Sequence, residues 1–364
     1  MTEETPLSPM DIYIARPIIE VEGRINDMVQ NLLMSMDLSE TDQGMAAMEL
    51  NFFNSATVQG RGNDLAFEYD DNELLSLGKS IRVLGGDNND PVELFRGTIT
   101  ALEMQMGGES EPRLMVLAED VLQKARMTRR TRRFESGILR SIIESAASDL
   151  GVQTDITGMD QPVDDQLQLN ESDLAFLRRL IDRHDGELWM TEDVLTVAPR
   201  SEVRRNEVRL EMNSQLESIR IMADLAHQVS KITFSGWDVA AGEQINVESD
   251  TSVDYGPGQG QSGAQFLYRA LGERSEHLSR TGAADDIEAQ ALVNAGFSQR
   301  ARKFVCAQGV TQGNPAIRVG THLTIAGVGP RFENTYFVTR VRHHYNLEEG
   351  YKTTFHAECA YLGG

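Results

Sequence analysis

Two distant stretches of this chain carry the same ordered pattern of short β-type runs, and that recurrence limits the fold more than any other feature. The first stretch holds Gly78, Ile81 and Val83, then Phe95, Gly97 and Ile99, then Leu114 and Val116. The second holds Gly320, Leu323 and Ile325, then Phe332, Tyr336 and Val338, then Thr354 and Phe355. Apolar residues at alternate positions, bounded by Gly, Asn and Asp, read as strands joined by turns. A recurrence in fixed order fits two β-units of one type, although any two β-meanders share some of it. Gly78, Phe95, Gly97, Gly320, Phe332 and Tyr336 are its markers.

Further strands fit residues 11–15, 18–22 and 45–53. A strand at 80–84 is closed by the turn cluster 85–91, and strands at 95–102 and 113–118 are separated by Gly107 and Gly108. Residues 10–122 therefore read as a small antiparallel barrel or sandwich. Two helices follow. Ile138, Leu139, Ile142, Ile143 and Ala146 make the stripe of the first, with Ser136 as cap and Gly151 as stop. Leu174, Leu177, Leu180 and Ile181 make the stripe of the second, capped by Asn170 or Ser172 and stopped by Gly186. A hairpin fits 187–190 and 194–197. Later strands fit 216–222, 229–237, 323–325, 336–341 and 353–357, with a long loop at 249–265 and a helix at 285–304. The expected fold is mainly β with an α/β insert (α+β). Its parts are a first β-barrel (1–123), a basic linker with a helix-hairpin insert (124–200), and a second β-barrel with a Gly-rich loop and a helix (201–364).

At roughly 150 residues per domain, 364 residues suggest about two to three domains. Apolar residues at 40% and charged residues at 25% mark a globular chain. No apolar run approaches the ~18 residues of a membrane helix, and the acidic N-terminus does not read as a secretory signal. With 34 Lys+Arg against 56 Asp+Glu, the net charge is −22. Such a surface does not grip nucleic acid or anionic lipid as a whole. It suits solubility, a basic partner, a channel to which DNA must not stick, or salt adaptation. One segment departs from this. Lys124, Arg126, Arg129, Arg130, Arg132 and Arg133 follow one another with no acid between, leaving the rest of the chain at −28. The segment reads as a linker docked on an acidic neighbour, within the chain or between subunits. A nucleic-acid contact is the alternative, and it lacks interleaved aromatics before Phe134.

Little else points to chemistry. The loop from Gly256 to Gly263 resembles a phosphate loop but has no Gly-Lys-Ser/Thr ending, so a flexible loop is the reading. His343, His344 and His356 fit no zinc spacing, and consecutive strand residues face opposite sides, which suits surface or sheet-edge histidines. Cys306 and Cys359 read as two buried thiols in a reducing compartment, or as one bridge between neighbouring strands. Acidic pairs arise by chance in so acidic a chain, and nothing selects one for glycan hydrolysis. No catalytic residue, cofactor or metal site is expected.

Several stretches resemble one family. Residues 170–186, from Asn170 through Asp173, Leu174, Phe176, His184 and Gly186, run into Leu188, Trp189 and Met190. This is similar to the helix-hairpin of late control D proteins, tail-hub proteins of contractile phages. They are related to VgrG hubs of type VI secretion and to extracellular contractile injection systems. Residues 231–238, 320–327, 332–344 and 350–355 are similar to other parts of the same hub, and residues 16–53 fit its first barrel.

The resemblance implies a homotrimer whose chains each give two similar barrels, forming a pseudo-six-fold ring. One face would stack on a six-fold tail tube protein and the other on a three-fold spike. The chain ends at Gly364, just past the hub pattern, so a separate spike protein is expected. The implied protein is not an enzyme. It is a structural symmetry adapter of a virion tail, baseplate or injection particle, assembled in the bacterial cytoplasm. Other baseplate proteins would be partners, DNA or an effector would pass only as transiting cargo, and no stable membrane association is expected. Acids lining the channel would repel DNA. A tail-associated peptidoglycan hydrolase and a glycan-binding tail module are the competing readings.

Overall fold

The computed structural model describes residues 16–42, 44–57, 65–66, 69, 74–87, 90–107, 110–249, 255–279 and 282–363. The strand expected at 11–15, the turn residues Asn88 and Asn89, Gly108 and positions 250–254 of the long loop lie outside the described residues.

The protein is mainly antiparallel β with few helices. Its main sheet has thirteen strands and runs without a break through both halves of the chain. In the first half the order is Leu33–Thr41, Ala47–Phe53, Ser110–Glu119, Asp90–Gly107, Ser80–Asp87, Ile18–Val21. In the second half it is Leu216–Ala223, Val305–Gln312, Gly350–Cys359, Asn334–Asn346, Thr321–Ala326, Asn206–Glu211. Written in chain order, the two sets of six strands have one topology. Each covers its own apolar core: Leu38, Leu50, Phe52 and Val116 lie in the first, and Leu210, Leu323, Val338 and Phe355 in the second. The two halves join where Leu33–Thr41 pairs antiparallel with the C-terminal half of Asn334–Asn346, placing His343 opposite Leu38.

The repeat extends to the register. Ile81 faces Gly97 as Leu323 faces Tyr336. Ile99 faces Ala118 as Val338 faces Ala357. One register shift separates Ile99 from Ala101, and its counterpart separates Val338 from Arg340. Leu38 faces Met48 as Ile221 faces Ala307, and here too a shift after Leu33 is matched by one after Leu216. Bulges are local departures that a chance resemblance would not reproduce in place. Gly78 and Gly320 open the repeated hairpins with φ of 86° and 89°. Each donates its N–H at 2.9 Å, Gly78 to the Ile99 carbonyl and Gly320 to the Val338 carbonyl. A side chain at so positive a φ is strained, which accounts for glycine at both.

Two departures stand out. Phe332 is not the counterpart of Phe95. Phe95 lies opposite Val83, where the second half puts Asn334 opposite Ile325. Phe332 sits two residues earlier in a turn, and its carbonyl accepts the Tyr336 hydroxyl at 2.7 Å. The outermost strands also differ: Ile18–Val21 is antiparallel to its neighbour, whereas Asn206–Glu211 is parallel to its own.

The segment after the first β-unit folds as an α/β layer. Helices Leu139–Ala147 and Asp173–Arg183 pack on a sheet of Gln153–Ile156, Val194–Pro199 and Gly186–Thr191. Ser172 caps the second helix through Ala175 N–H, whereas Ser136 caps nothing and gives its N–H to Asp165. The second half holds a further lobe, inserted between two strands that adjoin in the sheet. Strands Lys231–Asp238, Glu243–Glu248 and Ser275–His277 carry helix Asp286–Ala301, whose Phe297 packs with Ile232, Phe234 and Ile245. Gly296 lets that helix approach closely, since a Cβ there would sit 3.3 Å from Ile232 Cδ1.

Candidate functional site

The basic segment is not a linker. Leu122–Met127 is a short helix whose Leu122 and Ala125 are buried in the insert core, and Arg129–Phe134 is a strand paired with Gln166–Ser172. Alternation along the strand puts Arg130, Arg132 and Phe134 on one side, where they are half-buried. Arg132 reaches Asp149 at 3.2 Å and the nearly buried Asp173 at 2.5 Å, and Arg130 reaches the same two acids. Arg133 pairs with Asp165 on the surface, and Arg126 with Glu119 at 2.7 Å. Arg129 donates to the Asn170 carbonyl at 3.3 Å, while Lys124 lines a cleft with Gln123.

The junction of the two β-units and the insert holds a set of buried ion pairs. Arg200 lies between Glu187 and Glu358, with the Glu358 carboxylate at 2.6 Å, and its guanidinium stacks 3.4 Å above the Phe337 ring. Arg302 forks onto Asp185, both bonds at 2.7 Å. Arg318 pairs with Glu40 across the join, whereas the neighbouring Arg342–Asp37 pair lies at the surface, with the Arg342 side chain exposed. Burying such charges is costly unless each is paired and hydrogen-bonded, so these pairs tie the three parts to one relative position. Asp120 accepts the N–H groups of Ala46 (2.7 Å) and Leu122 (2.9 Å) at the root of the insert, and burial pushes its pKa up to about 6. None of these pairs has a local sequence signal, because the partners meet only in the folded chain.

A cleft of about 640 Å³ opens beside this junction, with Arg96, Trp189, Arg205 and Arg318 in its wall. Arg205 packs over the Trp189 ring and donates to the Val319 carbonyl at 3.2 Å, and burial lowers its pKa to about 10.

The histidines differ from expectation. His343 is fully buried, with Tyr351 Oη at 2.8 Å and Thr353 Oγ1 at 3.2 Å from Nδ1, and burial lowers its pKa to about 3. His344 faces the other way, onto Asp37 at 3.0 Å. Among the described residues no group of three or more His, Cys, Asp or Glu could hold a metal ion. Both cysteines are free, and Cys306 is exposed rather than buried. Cys306 faces Glu358 and Cys359 faces Val305, so the thiols lie on opposite sides of the sheet. The glycine loop is docked rather than loose. Gln259 exchanges two hydrogen bonds with Asn334, residues Gln261–Ser262 pair with Tyr361–Leu362, and Ser262 caps helix Gly263–Leu271, which the sequence reading lacks. Gly260 lies so close to the Gly363 carbonyl, 1.9 Å from an added Cβ, that no other residue fits.

Two of the open strand edges belong to matching places in the repeat. Beyond Ile99 the strand Asp90–Gly107 pairs only with Ser110–Glu119, and Leu216–Ala223 is the last strand of the main sheet. No helix among the described residues is long and apolar enough to cross a membrane.

A family model, the Alg8 N-terminal domain, matches residues 48–347. No curated protein matches the chain in sequence. The fold is shared with phage tail proteins. The 43 kDa tail protein of prophage MuSo2 from Shewanella oneidensis has a TM-score of 0.69 at 13% identity, covering 94% of this chain and 98% of its own. A tail protein from Neisseria meningitidis MC58 gives 0.67 at 11%, covering 95% and 97%. The Escherichia coli c3393 protein gives 0.58 at 11%, covering 94% and 78%. It is described as a type VI secretion component similar to the T4 tail proteins gp27 and gp5. At these identities the likeness is one of fold.

Proposed function

We propose that this chain, which belongs to the Alg8 N-terminal domain family, is a structural hub of a phage-type tail, baseplate or injection particle. One observation carries the reading: two β-units of one topology and one register, bulges included, within a tail-protein fold. A doubled unit has a purpose in a ring. Three copies would present six quasi-equivalent units to a six-fold tube and keep three-fold symmetry for a separate spike. The units would close as small barrels, with residues 1–123 and 201–364 as the repeated parts and 124–200 as the insert. Arg130, Arg132 and Arg133 bind acids of the insert itself and Arg126 binds Glu119 of the first unit, and the remaining acidity suits a channel past which DNA or an effector moves without sticking. No catalytic step is assigned. The location would be the assembled particle, with tube, spike and other baseplate proteins as partners.

Light scattering and negative-stain microscopy on the purified full chain test this. A mass of three chains and a ring with a central hole are expected. A monomer at micromolar concentration, unchanged on adding tube and spike proteins, would sink the reading.

A second reading, a glycan-binding tail module, is favoured by Trp237 and Tyr268, which stand 59% and 67% exposed on the second lobe. It predicts co-sedimentation with peptidoglycan that is lost in the Trp237→Ala/Tyr268→Ala variant. Equal sedimentation of both proteins would remove it.

A further inference from the structure

The join inside one chain is the template for a join between chains. The internal join uses the outer edge of Leu33–Thr41 and the C-terminal half of Asn334–Asn346. Each has a counterpart in the other half. By shared register, Leu33–Thr41 corresponds to Leu216–Ala223, with Leu38 at the place of Ile221. Asn334–Asn346 corresponds to the second part of Asp90–Gly107, with Val338 at the place of Ile99. Those two counterparts are the open edges described above: Leu216–Ala223 ends the main sheet, Asp90–Gly107 lies seven strands further along it, and among the described residues the two do not pair within one copy.

From this we infer that the residue 101–105 edge of one copy pairs antiparallel with Leu216–Ala223 of a second copy, in the register of the internal join. Arg340 faces Thr41, Val341 faces Glu40 and His343 faces Leu38 in that join. The transferred register puts Leu102 opposite Ala223 and Met104 opposite Ile221.

Two properties of the edges support this beyond topology. Met104 and Met106 stand 44% and 61% exposed on the first of these strands, an apolar load that an open edge in water does not normally carry. In the internal join, the positions matching Met104, Met106 and Ile221 are His343, Tyr345 and Leu38, all buried. Charge is complementary as well. Arg342 and Asp37 form a diagonal ion pair across the internal join. Their counterparts are Glu103 and Arg220, so the pair recurs with its signs exchanged between the strands. Both are exposed, and within the chain Glu103 accepts a hydrogen bond from Gln105 Nε2 at 3.0 Å.

The contact is heterologous, one edge on a different edge, so repetition gives a closed ring or an open chain of copies. The inference rests on the hub reading, for which it supplies the contact between copies. A full-length Met104→Cys/Ile221→Cys variant in a Cys306→Ser background is oxidised and run on denaturing gels. The expected result is covalently joined copies ending at a closed trimer and absent from either single-cysteine parent. Glu103→Arg or Arg220→Glu alone should weaken association about fivefold per contact, and Glu103→Arg/Arg220→Glu together should restore it. Circular dichroism checks that each variant is folded. A ring that assembles without the cross-link and is indifferent to both charge reversals would overturn this inference and leave the hub reading standing. A folded monomer under all conditions would overturn both.

Discussion

Arg318 and Glu40, 278 residues apart in sequence, form an ion pair buried at the join of the two β-units, with Nε donating to Oε2 at 3.0 Å. The pair fixes the position of one unit on the other, and neither charge reaches water freely. Removing one partner leaves the other buried and uncompensated. Arg318→Met and Glu40→Gln should each cost about 3–5 kcal/mol in urea unfolding, and Glu40→Met/Arg318→Met together should recover most of that loss. Additive losses in the double variant would show that the two groups do not act on each other.

His343 should limit stability in acid. Its folded pKa, about 3, lies below the ordinary 6.5 because the ring is buried between strands and must stay neutral. A depressed histidine contributes stability that is complete above the unfolded value and is lost as pH falls from 6.5 toward 3. Over that window the unfolded chain binds the extra proton, so unfolding free energy should fall by up to about 1.4 kcal/mol per pH unit from this group. Denaturant midpoints for wild type and His343→Gln between pH 7 and 4 check it, and the variant should show the shallower slope.

Gly97 and Gly78 require glycine for different reasons. At Gly97 the backbone angle is ordinary, but an added Cβ would lie 2.3 Å from the Glu119 carbonyl oxygen and 2.6 Å from Phe95 Cζ. Gly97→Ala should therefore cost about 1–3 kcal/mol through displaced backbone. At Gly78 no atom lies within 4 Å, and φ of 86° is the whole obstacle. Gly78→Ala should cost about 1 kcal/mol, and Gly78→Asn less, because Asn tolerates the left-handed region. Thermal melts of the three variants separate the two causes.

The basic strand should divide into structural and indifferent residues. Arg132 binds the nearly buried Asp173, so Arg132→Ala should lower stability by about 1–3 kcal/mol. Arg133 binds Asp165 in water, and Arg133→Ala should leave the denaturant midpoint unchanged within error. If the segment instead gripped nucleic acid, both variants would weaken DNA retention and its salt dependence while stability stayed level.

Much of the fold was legible locally. The hairpin of Gly186–Thr191 and Val194–Pro199, the Ser172-capped helix and the C-terminal strands follow from alternation, apolar stripes and capping, which act over a few residues. Leu33–Thr41 carries no clear strand signal, since its Ser, Asp and Thr break the alternation that marks a strand. The basic run reads as a docked linker, and its arginines do meet acids of the same chain, but as parts of a helix and a paired strand. Their partners Asp149, Asp165 and Asp173 lie well downstream and only strand pairing brings them near. Phe332 misled for a related reason. Matching residue types placed it beside Phe95, and backbone register placed Asn334 there.

The sequence alone determined that this is an acidic, mainly β chain with a doubled pattern around an α/β insert, because periodicity and turn chemistry are short-range properties. Only the tertiary structure decided that the doubled units share one continuous sheet and that buried ion pairs set the insert against them. It also decided which edges stay open. Those outcomes depend on which distant strands pair and in what register, and hydrogen bonding between strands is set by where the folded chain brings them, not by the residues on either side.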